Sequence, residues 1–162
     1  GRRPPGRRPF SPVFRHEGAA MVDISAFQRN AAAMRDGEWL SPGVQYPGIE
    51  FKCRALGHEY LDAFARNTKI QARLVGGEEY LSAEQKARIN IDALIETALL
   101  DVKGIEERGV PVTLARIAEM MRDPAYAELT GMVFNCASRV GRLLAADFED
   151  AAKNSEPVST RT

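Results

Sequence analysis

The chain has 162 residues, enough for one ordinary domain, and its 22 basic and 22 acidic side chains cancel to a formal net charge of zero. This balance excludes a globally basic nucleic-acid binder and an acidic disordered protein. With 44% apolar residues and one tryptophan, the composition is typical of a globular chain whose core is mainly aliphatic. The two cysteines, Cys53 and Cys136, stand far apart and outside any Cys/His cluster. They indicate neither a disulfide framework nor a zinc site, and they favour a reducing, cytosolic compartment.

Residues 1–20 differ in composition from the rest of the chain. They contain five arginines against one acid, Glu17, and four of the nine prolines, so they carry +4 and the remainder carries −4. Because no helical or strand period organises their apolar residues, we predict a disordered basic arm over 1–20. One interpretation of this arm is a tether for nucleic acid or an acidic partner. The favoured one is a leader or expression remnant before a true start at Met21, and no apolar segment typical of a secretory signal follows the arginines.

The front of the body combines a short helix with a β-hairpin. Apolar residues recur at helical spacing over 22–35, which predicts a helix that stops at 36–37. In 49–54, apolar and charged residues alternate strictly, as a half-buried strand requires. Together with the strand-like segment 38–40, this alternation predicts a β-hairpin or small β-sheet near 38–55.

Two longer helices follow the hairpin. A stripe of mainly apolar side chains at steps of three and four predicts an amphipathic helix over 59–75, ended by the two glycines that follow it. The stripe comprises Tyr60, Leu61, Phe64, Thr68, Ala72 and Val75. Ser82 can then cap a helix, with Gln85 completing a capping box. Because Leu99 and Val102 continue its apolar stripe, we expect this helix to run to about Lys103.

The last part of the chain is also predicted to be helical. After a turn at 107–109, Thr113 caps a short helix. Asp123 caps the next one, with Pro124 at the first helical position, and the apolar face of this helix reaches toward Lys153.

The predicted fold is therefore mainly α, a small helical bundle of about four helices preceded by a β-hairpin or small sheet. It forms a single domain over 21–154, followed by a disordered polar tail over 155–162. No window approaches the roughly 18 apolar residues of a membrane span, so we expect no membrane partner.

The sequence contains no reactive constellation that indicates an enzyme. It lacks the glycine-rich phosphate and dinucleotide loops, the nucleophile elbow of hydrolases and the zinc-protease motif. His16 lies in the predicted arm, and His58 opens a helix, where a capping or solvent-facing role is favoured. Cys136 lies on an apolar helix stripe and Cys53 on the inward face of a strand, so both are interpreted as small buried hydrophobes. We expect no catalytic residues, no cofactor and no metal.

Three acidic residues are candidate ligands for a hard cation. Asp92 and Glu96 are four residues apart on one predicted helix face, and Asp101 follows. No second pair of carboxylates faces them at helical spacing. A solvated acidic face is therefore the favoured interpretation.

The single tryptophan, Trp39, has two interpretations. Beside a turn, it can be an exposed contact residue, because tryptophan is enriched in binding hot spots. As a large apolar side chain on a strand, it can instead be the main core anchor of the hairpin, and this interpretation is favoured.

Several short motifs follow one another in a fixed order between residues 37 and 154. They comprise an aromatic segment, a charge-alternating strand, a tyrosine, a glycine-punctuated turn before a short helix, an Asp-Pro step and a terminal Lys-Asn. In the same order they occupy 37–39, 49–57, Tyr60, 99–112, 123–124 and 149–154.

This series resembles the tail assembly chaperones of long-tailed, siphovirus-type bacteriophages and prophages. One position departs from the family, because Val102 stands before the Lys103-Gly104 step, where the family often has tryptophan. Val102 still fits the predicted apolar stripe, so this departure does not change the expected fold.

The resemblance implies a non-catalytic assembly factor in the host bacterial cytoplasm. Such chaperones coat the tape measure protein and recruit tail tube subunits during tail morphogenesis. Two other classes stay open: a virion structural protein, such as a head–tail connector or completion protein, and a small regulator that binds nucleic acid through residues 1–20. Partner contacts are not identified, because an exposed apolar patch and a core stripe have the same sequence pattern.

Overall fold

In the computed structural model of the chain, the described residues are 24–142. They form a mainly helical structure with a small antiparallel sheet. The arm predicted over 1–20 and the tail predicted over 155–162 lie outside this range.

Three antiparallel strands form the larger sheet, in the order β1 (Glu38–Leu40), β2 (Glu50–Cys53) and β3 (Leu99–Lys103). The pairing of β1 with β2 confirms the predicted hairpin. Strand β3 corrects the prediction that the helix before it continues to about Lys103.

A bulge in β3 explains why its sequence resembles a helix. Val102 pairs with Phe51 and Leu99 with Cys53, and the register shifts between these two pairs so that Leu100 is the extra residue. The bulge turns both Leu99 and Val102 toward the core. Their spacing of three residues therefore fits one face of this strand as well as one face of a helix.

The five α-helices and a second, two-stranded sheet occupy the rest of the described range. The helices are α1 (Ala31–Asp36), α2 (His58–Val75), α3 (Ala83–Thr97), α4 (Leu114–Arg122) and α5 (Ala127–Arg139). The second sheet pairs β4 (Glu106–Glu107) with β5 (Val110–Pro111). Single 3₁₀ turns occupy Ile24–Phe27, Glu78–Tyr80 and Pro124–Tyr126. The helix predicted over 22–35 is therefore wrong in its first part, because α1 begins only at Ala31, where the Asn30 side chain caps it.

Side-chain caps begin α3 and α4 where the sequence predicts them. Ser82 Oγ accepts a hydrogen bond from Gln85 N at 3.1 Å, and Gln85 Oε1 accepts one from Ser82 N at 2.9 Å, which completes the capping box. Thr113 Oγ1 accepts from Arg116 N at 3.2 Å. Asp123 also caps, but it begins the 3₁₀ turn that leads into α5.

Helix α5 is shorter than predicted. It ends at Arg139, because Val140 leaves the helical conformation. The backbone of Gly141 then forms hydrogen bonds with Asn30 and Glu38. Asn30 N donates to Gly141 O at 2.8 Å, and Gly141 N donates to Glu38 Oε2 at 3.0 Å. These contacts replace the next helical turn, so a helix does not run unbroken to Lys153; residues 143–153 lie outside the described range.

The core lies between the inner face of the three-stranded sheet and helices α3, α4 and α5. Because the sheet supplies one side of this core, the expected bundle of about four helices is not confirmed. The largest fully buried aliphatic, aromatic and thioether side chains are Phe51, Leu94, Ile117, Met121, Val133 and Val140. A second, smaller cluster of Ala72, Leu81 and Ile89 joins α2 to α3.

Candidate partner-binding surface

Both cysteines are buried, which confirms their interpretation as small core residues. Burial raises the pKa of the Cys53 thiol to about 12, and the neighbouring Cys136 thiol adds to this shift. Burial also raises the pKa of Cys136, against the opposing effect of Arg139, whose Nη2 lies 3.5 Å from Cys136 Sγ. Because both thiolates are disfavoured, neither cysteine is placed as a nucleophile.

His58 is exposed at the first position of α2, as the sequence predicts. His16 lies outside the described residues.

The three candidate acidic residues are not gathered into a site. Asp92 and Glu96 lie on α3, but Asp101 lies on β3 and accepts from its neighbour, Val102 N, at 2.8 Å. Within residues 24–142, no group of three or more His, Cys, Asp and Glu side chains could hold a metal ion.

Arginine side chains form ion pairs with both carboxylates on α3, Asp92 and Glu96. Arg122 Nε donates to Asp92 Oδ1 at 2.8 Å, Arg88 Nε lies 3.4 Å from Asp92 Oδ2, and Arg66 pairs with Glu96. The face is therefore a set of ion pairs and not merely a solvated acidic surface.

Trp39 is not the main core anchor of the hairpin. It lies opposite Lys52 on the outer face of the sheet, whereas Phe51 on the next strand is 0% exposed. Trp39 is half-buried, and Lys103 Nζ lies 4.4 Å from its ring centroid. The alternation of 49–54 correctly predicts which side chains of β2 face the core, since Phe51 and Cys53 are both buried.

Helix α2 exposes four large apolar side chains. It packs against α3 and against the 3₁₀ turn that follows it. The predicted apolar stripe includes Leu61 and Phe64, but both are exposed, Leu61 at 58%. Ile70 and Leu74 are 49% and 75% exposed. Neither residue belongs to the predicted stripe. Because they are four residues apart, their spacing could have indicated a second apolar surface on this helix.

A row of basic side chains lies beside Ile70 on α2. Arg66, Lys69 and Arg73 recur at steps of three and four, and with Ile70 they line one shallow depression. Arg66 pairs with Glu96, but Lys69 and Arg73 form no ion pair with another residue in 24–142.

A groove of about 610 Å³ runs between α2 and α3. It is lined by Asn67, Ile70 and Gln71 of α2, by Gln85, Arg88, Ile89, Asp92, Ile95 and Glu96 of α3, and by Arg122 of α4. Ile70 belongs both to this groove and to the depression beside the basic row.

A second, more apolar cavity of about 420 Å³ adjoins the groove. It lies between the first turns of α3 and the junction of α4 with α5, and Ile91 and Met121 are among its lining residues. The two cavities share Gln85, Arg88 and Arg122. The arginines that hold Asp92 therefore form the partition between them.

No helix within the described range is both long and apolar enough to cross a membrane. Comparison of the chain with models of protein families, with curated proteins and with solved structures finds no match.

Proposed function

We propose that this protein is a tail assembly chaperone of a long-tailed bacteriophage or prophage. Acting without catalysis in the host cytoplasm, it binds the tape measure protein and helps to recruit tail tube subunits. The proposal starts from the ordered resemblance over residues 37–154. Within that range, the chain passes from β3 through Gly104 and the β4–β5 hairpin to the short helix α4.

The observation that carries the proposal is the exposure of large apolar side chains along α2. Covering apolar surface yields about 25 cal/mol per Å², so leaving Ile70 and Leu74 in water is unfavourable unless a partner covers them. These two side chains stand one turn apart on one face of α2, whereas Leu61 stands on the opposite side of the helix from Ile70. An exposed apolar pair rimmed by charges is typical of a protein interaction site. A long helical client can lie along this helix and gain that burial.

Co-expression with the tape measure protein encoded beside it, followed by pull-down, tests the proposal. The wild-type chain should recover a complex, and a double variant Ile70→Asp/Leu74→Asp should lose at least about tenfold in recovery, because two carboxylates on one face of α2 would be buried on binding. Val44 is 100% exposed on a loop, so Val44→Asp is the matched control and should behave as the wild type. Failure of the folded wild-type chain to recover a soluble client would contradict the proposal.

Two further measurements distinguish the other classes. Stoichiometric presence of the chain in purified virions would indicate a structural protein and overturn the chaperone proposal. Deletion of residues 1–20 tests the hypothesis of a nucleic-acid regulator. If that hypothesis holds, the deletion should lower both the DNA affinity and its dependence on salt.

A further inference from the structure

We infer that the second cavity, between the first turns of α3 and the junction of α4 with α5, binds a small, uncharged aromatic molecule. This cavity is called the α3–α5 cavity. The inference goes beyond the proposed function, because it concerns a small ligand and not a protein client. It also depends on different residues, since neither Ile70 nor Leu74 lines this cavity.

The α3–α5 cavity has the size of a small-molecule site. Its volume is about 420 Å³, whereas an apolar cavity of about 150 Å³ is enough to hold benzene. Cavities of about 300–1,000 Å³ between helices are typical ligand sites in proteins. A ligand of two fused rings therefore fits.

The apolar part of the lining favours an aromatic ligand. It comes from three helices and the 3₁₀ turn that joins two of them, and it comprises Ala87, Ile91, Met121, Pro124 and Ala127. Met121 is 1% exposed, so its thioether side chain borders the inner end of the cavity. Methionine sulfur makes favourable contacts with aromatic rings, which an aliphatic ligand of the same size does not gain.

Three polar side chains of the lining already have hydrogen-bond partners in the protein. Thr130 Oγ1 donates to Met121 O at 3.1 Å, and Asp123 Oδ1 accepts from Ala125 N at 2.9 Å. Gln85 is engaged in the capping box of α3. A strongly polar ligand would give up its hydrogen bonds to water on entering and would not recover them from these groups.

The charged residues of the lining favour neither a cation nor an anion. They are two arginines, Arg88 and Arg122, and two carboxylates, Glu84 and Asp123. Both guanidinium groups are already paired with Asp92, which lines the groove on the other side of the partition. Both carboxylates are exposed, so water screens them. A charged ligand would lose hydration without gaining a shielded counterion, and an uncharged ligand avoids this cost.

The distribution of apolar surface favours a small molecule over a protein partner. None of the large apolar side chains that are exposed in residues 24–142 lines the α3–α5 cavity. The exposed apolar lining residues are the small side chains Ala87, Pro124 and Ala127. A protein interface surrounds its anchors with a wider contact area that excludes water. The cavity lacks such a surround, but it encloses a ring on several sides.

Three compounds that share one indole ring test the preference for an uncharged ligand. At neutral pH skatole is uncharged, indoleacetate is an anion and tryptamine is a cation. Each competes with the uncharged fluorescent probe N-phenylnaphthylamine for the full-length chain. Skatole should displace the probe at a concentration at least about fivefold lower than either charged compound. Equal or tighter binding of a charged compound would overturn the inference, and so would failure of skatole to displace the probe.

Variants that fill the cavity locate the site. Ala87→Phe on α3 and Ala127→Phe on α5 add a ring from two different helices, and each should weaken skatole binding at least about tenfold. Ala115→Phe adds the same ring at an exposed position of α4 that lines neither cavity, and should bind skatole as the wild type does. Circular dichroism and urea unfolding verify that each variant is folded. Unchanged binding by both folded lining variants would refute the site.

Pull-down of the tape measure protein separates a ligand site from a pocket for the client. If Ala87→Phe loses skatole but still recovers the tape measure protein, the cavity is a ligand site, as inferred. If the wild-type chain does not bind skatole and Ala87→Phe loses the tape measure protein, the cavity holds a side chain of the client and the inference is overturned. The proposed function is tested separately, by Ile70→Asp/Leu74→Asp on α2.

Discussion

Arg122 Nε donates a hydrogen bond of 2.8 Å to Asp92 Oδ1 and thereby joins the last turn of α4 to the middle of α3. The same carboxylate lies 3.4 Å from Arg88 Nε through its other oxygen. One acidic side chain therefore holds two guanidinium groups that would otherwise repel each other. It fixes the partition between the two cavities of the candidate surface.

Replacing this carboxylate should weaken the junction of α3 with α4. In Asp92→Asn, two arginines lose their anionic partner, but Asp92 and Arg122 are 35% and 36% exposed, so solvent screens much of the effect. We expect a loss of about 0.5–1 kcal/mol in the free energy of unfolding, measured by urea denaturation, and a smaller loss at high salt. Asp62→Asn is the control, because exposed Asp62 forms no ion pair within the described residues; equal losses in both variants would contradict the assigned role of Asp92.

The two aromatic residues of the hairpin should differ in their effect on stability. Phe51→Ala removes a fully buried side chain from the central strand and should cost about 3–5 kcal/mol. Trp39→Ala removes a half-buried ring and its contact with Lys103, and should cost about 1–2 kcal/mol. Urea midpoints of the two variants give the ranking. The opposite order would restore Trp39 as the core anchor.

Two glycines with similar backbone angles should respond differently to alanine. Gly104 and Gly109 have φ values of +80° and +78°, where an alanine costs about 1–2 kcal/mol. A Cβ on Gly104 would lie 1.8 Å from Gly48 O, whereas one on Gly109 would meet nothing within 4 Å. Gly104→Ala must therefore also displace the backbone at Gly48, and thermal unfolding should show a loss several times that of Gly109→Ala. Similar losses would show that the contact with Gly48 is easily relaxed.

The raised pKa of Cys53 predicts a loss of stability at alkaline pH. Its thiol has an ordinary pKa of 9.0 and a folded pKa of about 12. As the pH rises, the unfolded chain therefore releases this proton before the folded chain does. The stability that the neutral, buried thiol contributes is complete below pH 9 and is lost as the pH rises toward 12.

Urea unfolding under reducing conditions at about pH 8 and about pH 10 measures this effect. Over that interval the wild type should lose about 1 kcal/mol more than Cys53→Ala, which lacks the titrating thiol. The comparison with the variant removes the contributions of other groups, including Tyr60, whose pKa is also raised by burial. Equal losses in the two proteins would show that Cys53 is not shielded in the folded state.

Features with local causes were predictable from the sequence. The cap at Ser82 needs only a hydroxyl and a glutamine three residues later, and the strand at 50–53 needs only alternation. The Asp123-Pro124 step likewise signalled a helical start, which is the 3₁₀ turn that leads into α5. In each case, the deciding interaction joins residues close in the chain.

Two of the errors in element length have tertiary causes. Leu99 and Val102 satisfy a helical stripe, and only pairing with β2 together with a bulge makes them a strand. Helix α5 ends where Gly141 binds Asn30 and Glu38, residues more than 100 positions away. Local pattern cannot supply these partners, because they become neighbours only when the chain has folded.

The same division holds for the candidate surface. The sequence by itself determined α2, the capped starts of α3 and α4, the inward face of β2 and the burial of both cysteines, because periodicity and composition act over a few residues. Only the tertiary structure decided that Leu61 and Leu74 remain exposed, that Arg122 crosses to Asp92, and that a groove opens between α2 and α3. The physical reason is that an apolar side chain on a helix is buried only if another element covers it, and α2 packs on α3 along part of its circumference alone.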